Sequence, residues 1–485
     1  MVLLFLYGNS IIGVDMFLNL VTTSSNEAGE LLNNLLPALI TVFILYVSPL
    51  IWSAVRFIRK NKLRVVNQKR FRKYGAITAM AGVITLILSY ICVPGFAITK
   101  DIFPVNVLKN LVLAAGRIRQ NVHYPETSKA FTFNATSTHQ AVKELYVVVI
   151  GETSRADSYS LLGYGRETNP LLAANANVVT FSHVMSESNT THKSVPMLLS
   201  LVDAENYSTI NSQKSIITAF KEAGFYTAFI STQPLNRSYT DYFGNEADYV
   251  KFLNADSESS VFLKDDALLK QLDHILATSD KEKQIVFIHS YGSHFSYSDR
   301  YDRSFSHFKP DTIKDAAFSN RDELVNAYDN SIRHTDFILN SIIRRLEAKT
   351  DFTTAMMYVP DHGEDLFDDS RKRFLHSSPT PTYWQLHVPI ILWMSDNYKT
   401  SYPNIWENAQ RHLDAQISSS HSFAPTVLDM AGIATDKVEK GSSVVDEKYI
   451  VPTRYYVSDR NECLPLKKSG LTKIDFQLMR QHGIK

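Results

Sequence analysis

The sequence holds 485 residues, of which 45% are hydrophobic, with a formal net charge of +1 at pH 7. That length allows more than one domain, and so small a charge gives no bulk attraction for nucleic acid. The two cysteines, Cys92 and Cys463, leave the redox compartment open, and an intramolecular disulfide is not expected because Cys92 lies in an apolar run.

In chain order, Met1–Leu20 comes first. Val2–Leu6 and Ile11–Leu20 are apolar but interrupted by Asn9, Asp15 and Asn19. No basic region precedes them, so a cleavable signal peptide is not expected; a partial span and an interfacial helix both fit. Glu27–Asn34 reads as a helix leading into the first clear span, all of this within a membrane region over residues 1–100. Leu36–Phe57 and Ala76–Ile98 are long, apolar runs that suit two transmembrane helices. Between them Arg56–Lys73 carries lysines and arginines and no acid, so this loop is expected to be cytoplasmic and both distal ends to face outward. Residues 101–143 read as a linker, in which Val105–Arg119 has the spacing of a helix lying on the membrane surface. Strands are expected over Leu145–Ile150, Tyr226–Ser231, Ile285–His289, Thr353–Val359 and Val388–Met394. Helices are expected over Gln213–Ala223 and Asp322–Ala348. This alternation over 144–485 predicts an α/β domain with a mainly parallel sheet flanked by helices.

Two of these strands end in chemistry. Val147-Val148-Val149-Ile150 runs into Gly151-Glu152-Thr153-Ser154-Arg155, and Val359-Pro360 runs into Asp361-His362-Gly363-Glu364. Open α/β sheets bind ligands at the carboxyl ends of their strands. Glu152, Asp361 and His362 are ligands that zinc accepts, although a lone acid at such a place is as readily a surface residue or a helix cap. The hydroxyl-rich run Ser186–Ser194 precedes an apolar helix whose first turn would hold Pro196, with Thr191 just before it. Its hydroxyls are either helix caps or the source of a nucleophile favoured by the helix dipole and a metal. His294 and His376 follow strand ends and suit phosphate binding, proton donation or a second metal. His289, His334, His387 and His421 have no such context and read as structural.

These motifs resemble the bacterial phosphoethanolamine transferases, membrane-anchored enzymes of the alkaline phosphatase/sulfatase superfamily that modify lipid A. The resemblance rests on Gly151–Arg155, Gly163–Pro170, Thr191 with Ser194-Val195-Pro196, Gly292-Ser293-His294, Tyr328–Ile332, Asp361–Glu364 and Leu375-His376. Asp15–Leu32 also resembles the stretch before the family's fourth span, so the likeness covers nearly the whole chain. It implies that Thr191 is the nucleophile and that Glu152, Thr191, Asp361 and His362 hold zinc. His294 and His376 would surround the phosphate or a second zinc, giving one or two ions in all. It also implies phosphatidylethanolamine as donor, a lipid A phosphate as acceptor, and a bacterial inner-membrane protein whose catalytic domain is periplasmic. Transfer would be ping-pong, through a phosphoethanolamine-threonine at Thr191. Polymyxin resistance is the associated phenotype, and no nucleic acid is implied.

The chain departs from the family in several places. The family usually carries five spans, whereas two clear ones and a fragment are visible here. Glu187 and Met197 stand where cysteines flank the nucleophile loop in the lipid A enzymes, so packing alone is expected to hold that loop. The Asn and Lys that bind phosphoethanolamine have no clean counterpart in Ser231–Arg237, and a second-site histidine is replaced near Ser298. Another envelope acceptor, a core sugar or glucan, is the alternative substrate, and phosphoglycerol transfer the alternative reaction. A sulfatase activity is not expected. Its nucleophile needs a Cys/Ser-x-Pro-x-Arg run, and Cys92-Val93-Pro94-Gly95 lacks the arginine and lies in a span. A metal-dead binding protein would not need Glu152, Thr191, Asp361 and His362 intact.

Overall fold

The computed structural model describes residues 13–22, 40–41, 43–58, 68–93, 96–255, 262–313, 317–377 and 379–485. The expected helix over 27–34 and half of the basic loop lie outside these residues. The main helices of the N-terminal part among the described residues are α1 (Val14–Thr22), α2 (Ser48–Ile58), α3 (Gln68–Cys92) and α4 (Val105–Val122). Among the described residues one helix, over Lys69–Cys92, is long and apolar enough to cross a membrane; Phe43–Ile58 is a shorter apolar helix. The second run was expected over Ala76–Ile98, but α3 begins at Gln68 and ends at Cys92. The sequence Val93-Pro94-Gly95 explains the earlier stop, because a residue before proline is driven out of the helical region.

The main sheet has seven strands: β1 (Glu144–Gly151), β2 (Val178–Phe181), β3 (Tyr226–Ser231), β4 (Tyr249–Phe252), β5 (Lys283–His289), β6 (Thr353–Pro360) and β7 (Ile390–Met394). Their spatial order is β2-β7-β6-β1-β5-β3-β4. All neighbours are parallel except that β7 runs antiparallel to both β6 and β2. The sheet is thus mainly parallel, as the alternation predicts, with one reversed strand. Among the described residues the connection between β6 and β7 has no long crossover helix, only the four-residue helix Tyr383–Leu386. That connection instead contains the Asp361–His376 segment of the site. The short strands β2 and β4 carry too few residues for a periodic signal.

β1 explains why its apolar run is continuous rather than alternating. All eight of its residues are buried. Tyr146, Val148 and Ile150 join the core on one face, and Leu145, Val147 and Val149 the core on the other. A strand covered on both sides has no polar face. Each of these aliphatic side chains contributes roughly 1.5–3 kcal/mol on burial.

Helices α5 (Thr191–Leu198), α6 (Ile216–Glu222) and α9 (Ser419–Met430) pack in the first core. Helices α7 (Asp266–Thr278) and α8 (Arg321–Glu347) pack in the second. Leu324, Ile332, Leu339, Ile342 and Leu346 of α8 are buried, which matches the helical spacing read from the sequence. The 101–143 connector is tied down along this domain. Glu222 accepts from the backbone N–H of Phe133 and Ala135, and Thr136-Ser137 pairs with Ile433-Ala434.

Candidate active site

Four neighbouring strands deliver the site to one edge of the sheet. Gly151 of β1 is in register with Pro360 of β6, so Glu152 and Asp361 leave the sheet side by side. The Asp361 N–H donates to the Gly151 carbonyl at 3.0 Å, and the Thr153 N–H donates to Asp361 Oδ1 at 2.9 Å. β5 is in register with Ile150 at His289 and leads to Gly292 and His294. β3 ends beside it at Ser231 and leads to Gln233. Gly292 is required where it stands. Its φ is +53°, and a Cβ there would lie 2.7 Å from the Glu152 carbonyl oxygen.

Thr191 enters from outside the sheet. Its hydroxyl donates to Glu152 Oε1 at 3.1 Å and lies 3.3 Å from His362 Nε2. It is the first residue of α5, with Thr190 as the cap, rather than lying ahead of the helix as the sequence suggested. Pro196 accordingly falls inside α5 instead of in its first turn. The early start places Thr191 at the positive end of the helix, where negative charge is favoured.

The loop before Thr191 is not held by packing alone. Ser186 Oγ donates to the Asp361 carbonyl at 2.7 Å, tying the loop to the strand end that carries Asp361. Asn189 donates to Gln385 Oε1 and accepts from the Tyr456 hydroxyl, both at 2.8 Å. Glu187 takes the Ala204 N–H at 2.8 Å, while Met197 is fully buried. Burial, then the nearby Asp203, pushes the Glu187 carboxyl up to about 8 against a usual value near 4.5. The folded state therefore keeps a proton that the unfolded chain releases above about 4.5. Stability is fullest below that pH and falls as pH rises towards 8, by at most about 1.4 kcal/mol per unit. Glu187→Gln should flatten this decline, so that the variant gains on the wild type in chemical denaturation at pH 8 compared with pH 5.

Glu152, Asp361 and His362 are all buried, and Asp361 Oδ2 has no hydrogen-bond partner among the described residues. His362 Nδ1 donates to the Gly363 carbonyl at 2.9 Å, which leaves Nε2 carrying its lone pair in the neutral ring. That nitrogen lies 3.2 Å from Asp361 Oδ2 and 3.7 Å from Glu152 Oε1. Burial holds His362 down to about 4, outweighing Asp361, so a ring proton does not separate these atoms near neutral pH. Converging lone pairs of this kind suit a cation. Glu152, His362 and His376 also offer ligand atoms within 4.8 Å of one another.

His376 thus stands beside the proposed metal ligands, its ring 4.2 Å from that of His362. Its Nδ1 faces Glu364 Oε1 at 3.2 Å. Burial lowers His376 to about 4 and raises Glu364 to about 8, so both shifts favour the neutral forms. His294 is further out, 6.1 Å from His376 between ring centroids, and its Nδ1 donates to the Phe295 carbonyl. His334, His387 and His421 pair with Asp266, Asp157 and Asp203, away from this cluster. His289 is buried at the end of β5.

Two further residues, neither given a site role from the sequence, touch Glu152. Gln233 Nε2 donates to Glu152 Oε2 at 3.1 Å, and Thr153 Oγ1 donates to Glu152 Oε1 at 2.7 Å. Thr153 was visible as part of its motif, but Gln233 lies on a different strand end and carries no local signal.

Residues 144–433 match the sulfatase family. Curated relatives include the Kdo(2)-lipid A phosphoethanolamine 7''-transferase of Escherichia coli K12, 29% identical over 60% of this chain and 51% of that protein. The phosphoethanolamine transferase EptA of the same strain is 30% identical over 64% of this chain and 57% of its own length. This chain therefore spans between half and three-fifths of these two relatives. Among solved structures, the soluble domain of lipooligosaccharide phosphoethanolamine transferase A from Neisseria meningitidis is 26% identical, with a TM-score of 0.58 over 64% of this chain and 95% of that one. The integral membrane EptA of the same organism shares the fold at 22% identity, with a TM-score of 0.66 over 91% of this chain and 83% of that one. The match over residues 144–433 and the alkaline phosphatase/sulfatase-like sheet agree: the chain belongs to the sulfatase family, with phosphoethanolamine transferases among its relatives.

Proposed function

We propose that this chain transfers phosphoethanolamine from phosphatidylethanolamine, through an adduct on Thr191, to an acceptor of the bacterial envelope, foremost a lipid A phosphate. The observation that carries this reading is the half-buried Thr191 hydroxyl lying 3.1 Å from Glu152 and 3.3 Å from His362. Phosphoethanolamine transferases of Escherichia coli and Neisseria meningitidis among the relatives support the transferred group.

Glu152, Asp361, His362 and the Thr191 hydroxyl would hold zinc, and the unpartnered Asp361 Oδ2 fits that donor set. An Escherichia coli EptC domain of the same fold was solved in complex with zinc. Zinc would supply positive charge that favours the alkoxide form of a hydroxyl and offsets charge on a phosphoryl group. Thr191 Oγ1 would bond to phosphorus as the bond to the diacylglycerol oxygen breaks; its proton would leave towards Glu152 Oε1, 3.1 Å away, and the departing oxygen would take up a proton in turn. Gln233 and Thr153 fix that carboxylate by donating to both its oxygens. In the second half an acceptor phosphate would take the group from Thr191 and restore the hydroxyl. His294 and His376 flank the cluster where a phosphoryl oxygen or a second ion would sit.

Residues 1–100 are read as the membrane region, 101–143 as the linker and 144–485 as the periplasmic catalytic domain of an inner-membrane protein. The exposed Leu108, Leu111 and Val112 on α4 support a helix lying on the lipid surface. Mass spectrometry of lipids from cells expressing the chain should find lipid A heavier by one phosphoethanolamine. A gain on core sugar or glucan instead would overturn the lipid A assignment, and no gain on any envelope component would overturn the reaction.

A further inference from the structure

The two residues after Thr191 reach an acid from the far N-terminal part of the chain. Lys193 is 1% exposed, and its Nζ donates to Asp15 Oδ2 at 2.5 Å and to the Ser458 carbonyl at 2.7 Å. His192 Nε2 lies 3.2 Å from Asp15 Oδ1. Asp15 stands in the first turn of α1, is itself buried, and accepts from Arg117 Nη1 of α4 at 2.8 Å. Asp459 completes the knot. Its carboxylate accepts the N–H groups of Val14 and Asp15 at 2.8 and 2.9 Å, and its carbonyl accepts Arg117 Nη2 at 2.8 Å.

Four pieces of chain therefore meet at one buried group of charges: α1, α4, the first turn of α5 and the Ser458-Asp459 turn. Asp15 and Asp459 balance Lys193 and Arg117. A lysine this deeply buried is tolerated only while paired, because a lone ammonium away from water is costly. Lys193 shares the first turn of α5 with Thr191, so whatever fixes Lys193 also fixes the height and rotation of the nucleophile hydroxyl. Pro196 leaves this short helix one backbone donor poorer, so it relies the more on outside contacts. Displacement of a reacting group by about an ångström costs on the order of a hundredfold in rate.

We propose that Asp15 is a positioning residue for Thr191, acting through Lys193, so that docking of α1 sets the nucleophile in place. The proposal rests on Thr191 being the nucleophile. It makes the site an assembly of the N-terminal segment with the sulfatase-like domain: a chain lacking α1 would keep every metal-cluster residue and lose the carboxylate that holds Lys193.

The test uses the full chain in detergent micelles containing phosphatidylethanolamine, comparing wild type with Asp15→Asn and with the apolar pair Asp15→Leu/Lys193→Met. Amide hydrogen exchange over Thr191–Leu198 and the kinetics of Thr191 adduct formation are both followed. Asp15→Asn should speed exchange in α5 and lower kcat by roughly ten- to a hundredfold, with KM changed less than about twofold. The apolar pair leaves no unpaired charge and should recover much of the exchange protection and rate. Unchanged exchange across α5 in Asp15→Asn overturns the proposal, as does a loss confined to KM. If Asp15→Asn fails to fold, the apolar pair decides: native-like protection of α5 supports the coupling, and exchange as fast as in an unfolded segment overturns it. If the wild type forms no adduct, the transferase reading fails, while the exchange comparison still decides the coupling.

Discussion

Thr191→Ala should abolish phosphoethanolamine transfer, lowering turnover by on the order of a thousandfold or more, because the hydroxyl that would take up the group is gone. The fold should survive. Thr191 is half-buried and donates one hydrogen bond, to Glu152, with His362 Nε2 3.3 Å away. Losing that bond should change stability by about 1 kcal/mol. Thr191→Ser keeps the hydroxyl and should retain measurable transfer. Lipid product formation and thermal unfolding, measured on the same preparations, separate lost chemistry from lost structure. An alanine variant with wild-type turnover would remove Thr191 from the mechanism.

Asp361→Asn should have opposite effects on stability with and without metal. Asp361 Oδ1 accepts from the N–H groups of Thr153 and His362, and an amide oxygen can keep both bonds. Oδ2 is the atom without a hydrogen-bond partner, 3.2 Å from His362 Nε2. An amide NH2 there can donate to that nitrogen. In chelator the variant should therefore be more stable than the wild type, by about 1–3 kcal/mol, the usual scale for an unsatisfied buried group. In zinc the order should reverse, because an amide is a poorer ligand than a carboxylate. Zinc affinity should fall by roughly two orders of magnitude or more, since even residues that only support a ligand cost ten- to a hundredfold. Thermal unfolding with zinc and with chelator, together with metal content, checks both halves. A variant that binds zinc as the wild type does would take Asp361 out of the metal site.

What was legible in the sequence followed burial and local pattern. β1 is apolar at consecutive positions because both faces are covered, and α8 repeats its apolar residues at helical spacing. Glu152, Asp361 and His362 could be found because each directly follows such a strand. Their convergence could not be read locally, since it depends on β1 and β6 being sheet neighbours. Gln233 was invisible for the same reason: its approach to Glu152 depends on the order β1-β5-β3. The reversed direction of β7 left no mark on its composition, because a buried strand is apolar whichever way it runs. The loop before Thr191 looked unsupported once its flanking positions were Glu187 and Met197. Its supports are Asp361, Gln385 and Tyr456, which are remote in sequence. Asp15 read as an interruption in an apolar segment, and only its partners Lys193 and Arg117 give it a reason to be there.

The most direct test of the central claim is the covalent state of Thr191. The full chain, incubated with phosphatidylethanolamine and no acceptor and then digested, should yield the Thr191 peptide carrying one phosphoethanolamine, with fragmentation placing it on Thr191. Adding acceptor should remove it. An unmodified Thr191 while transfer proceeds, or the group placed on Thr190 or Ser188 instead, would contradict the account.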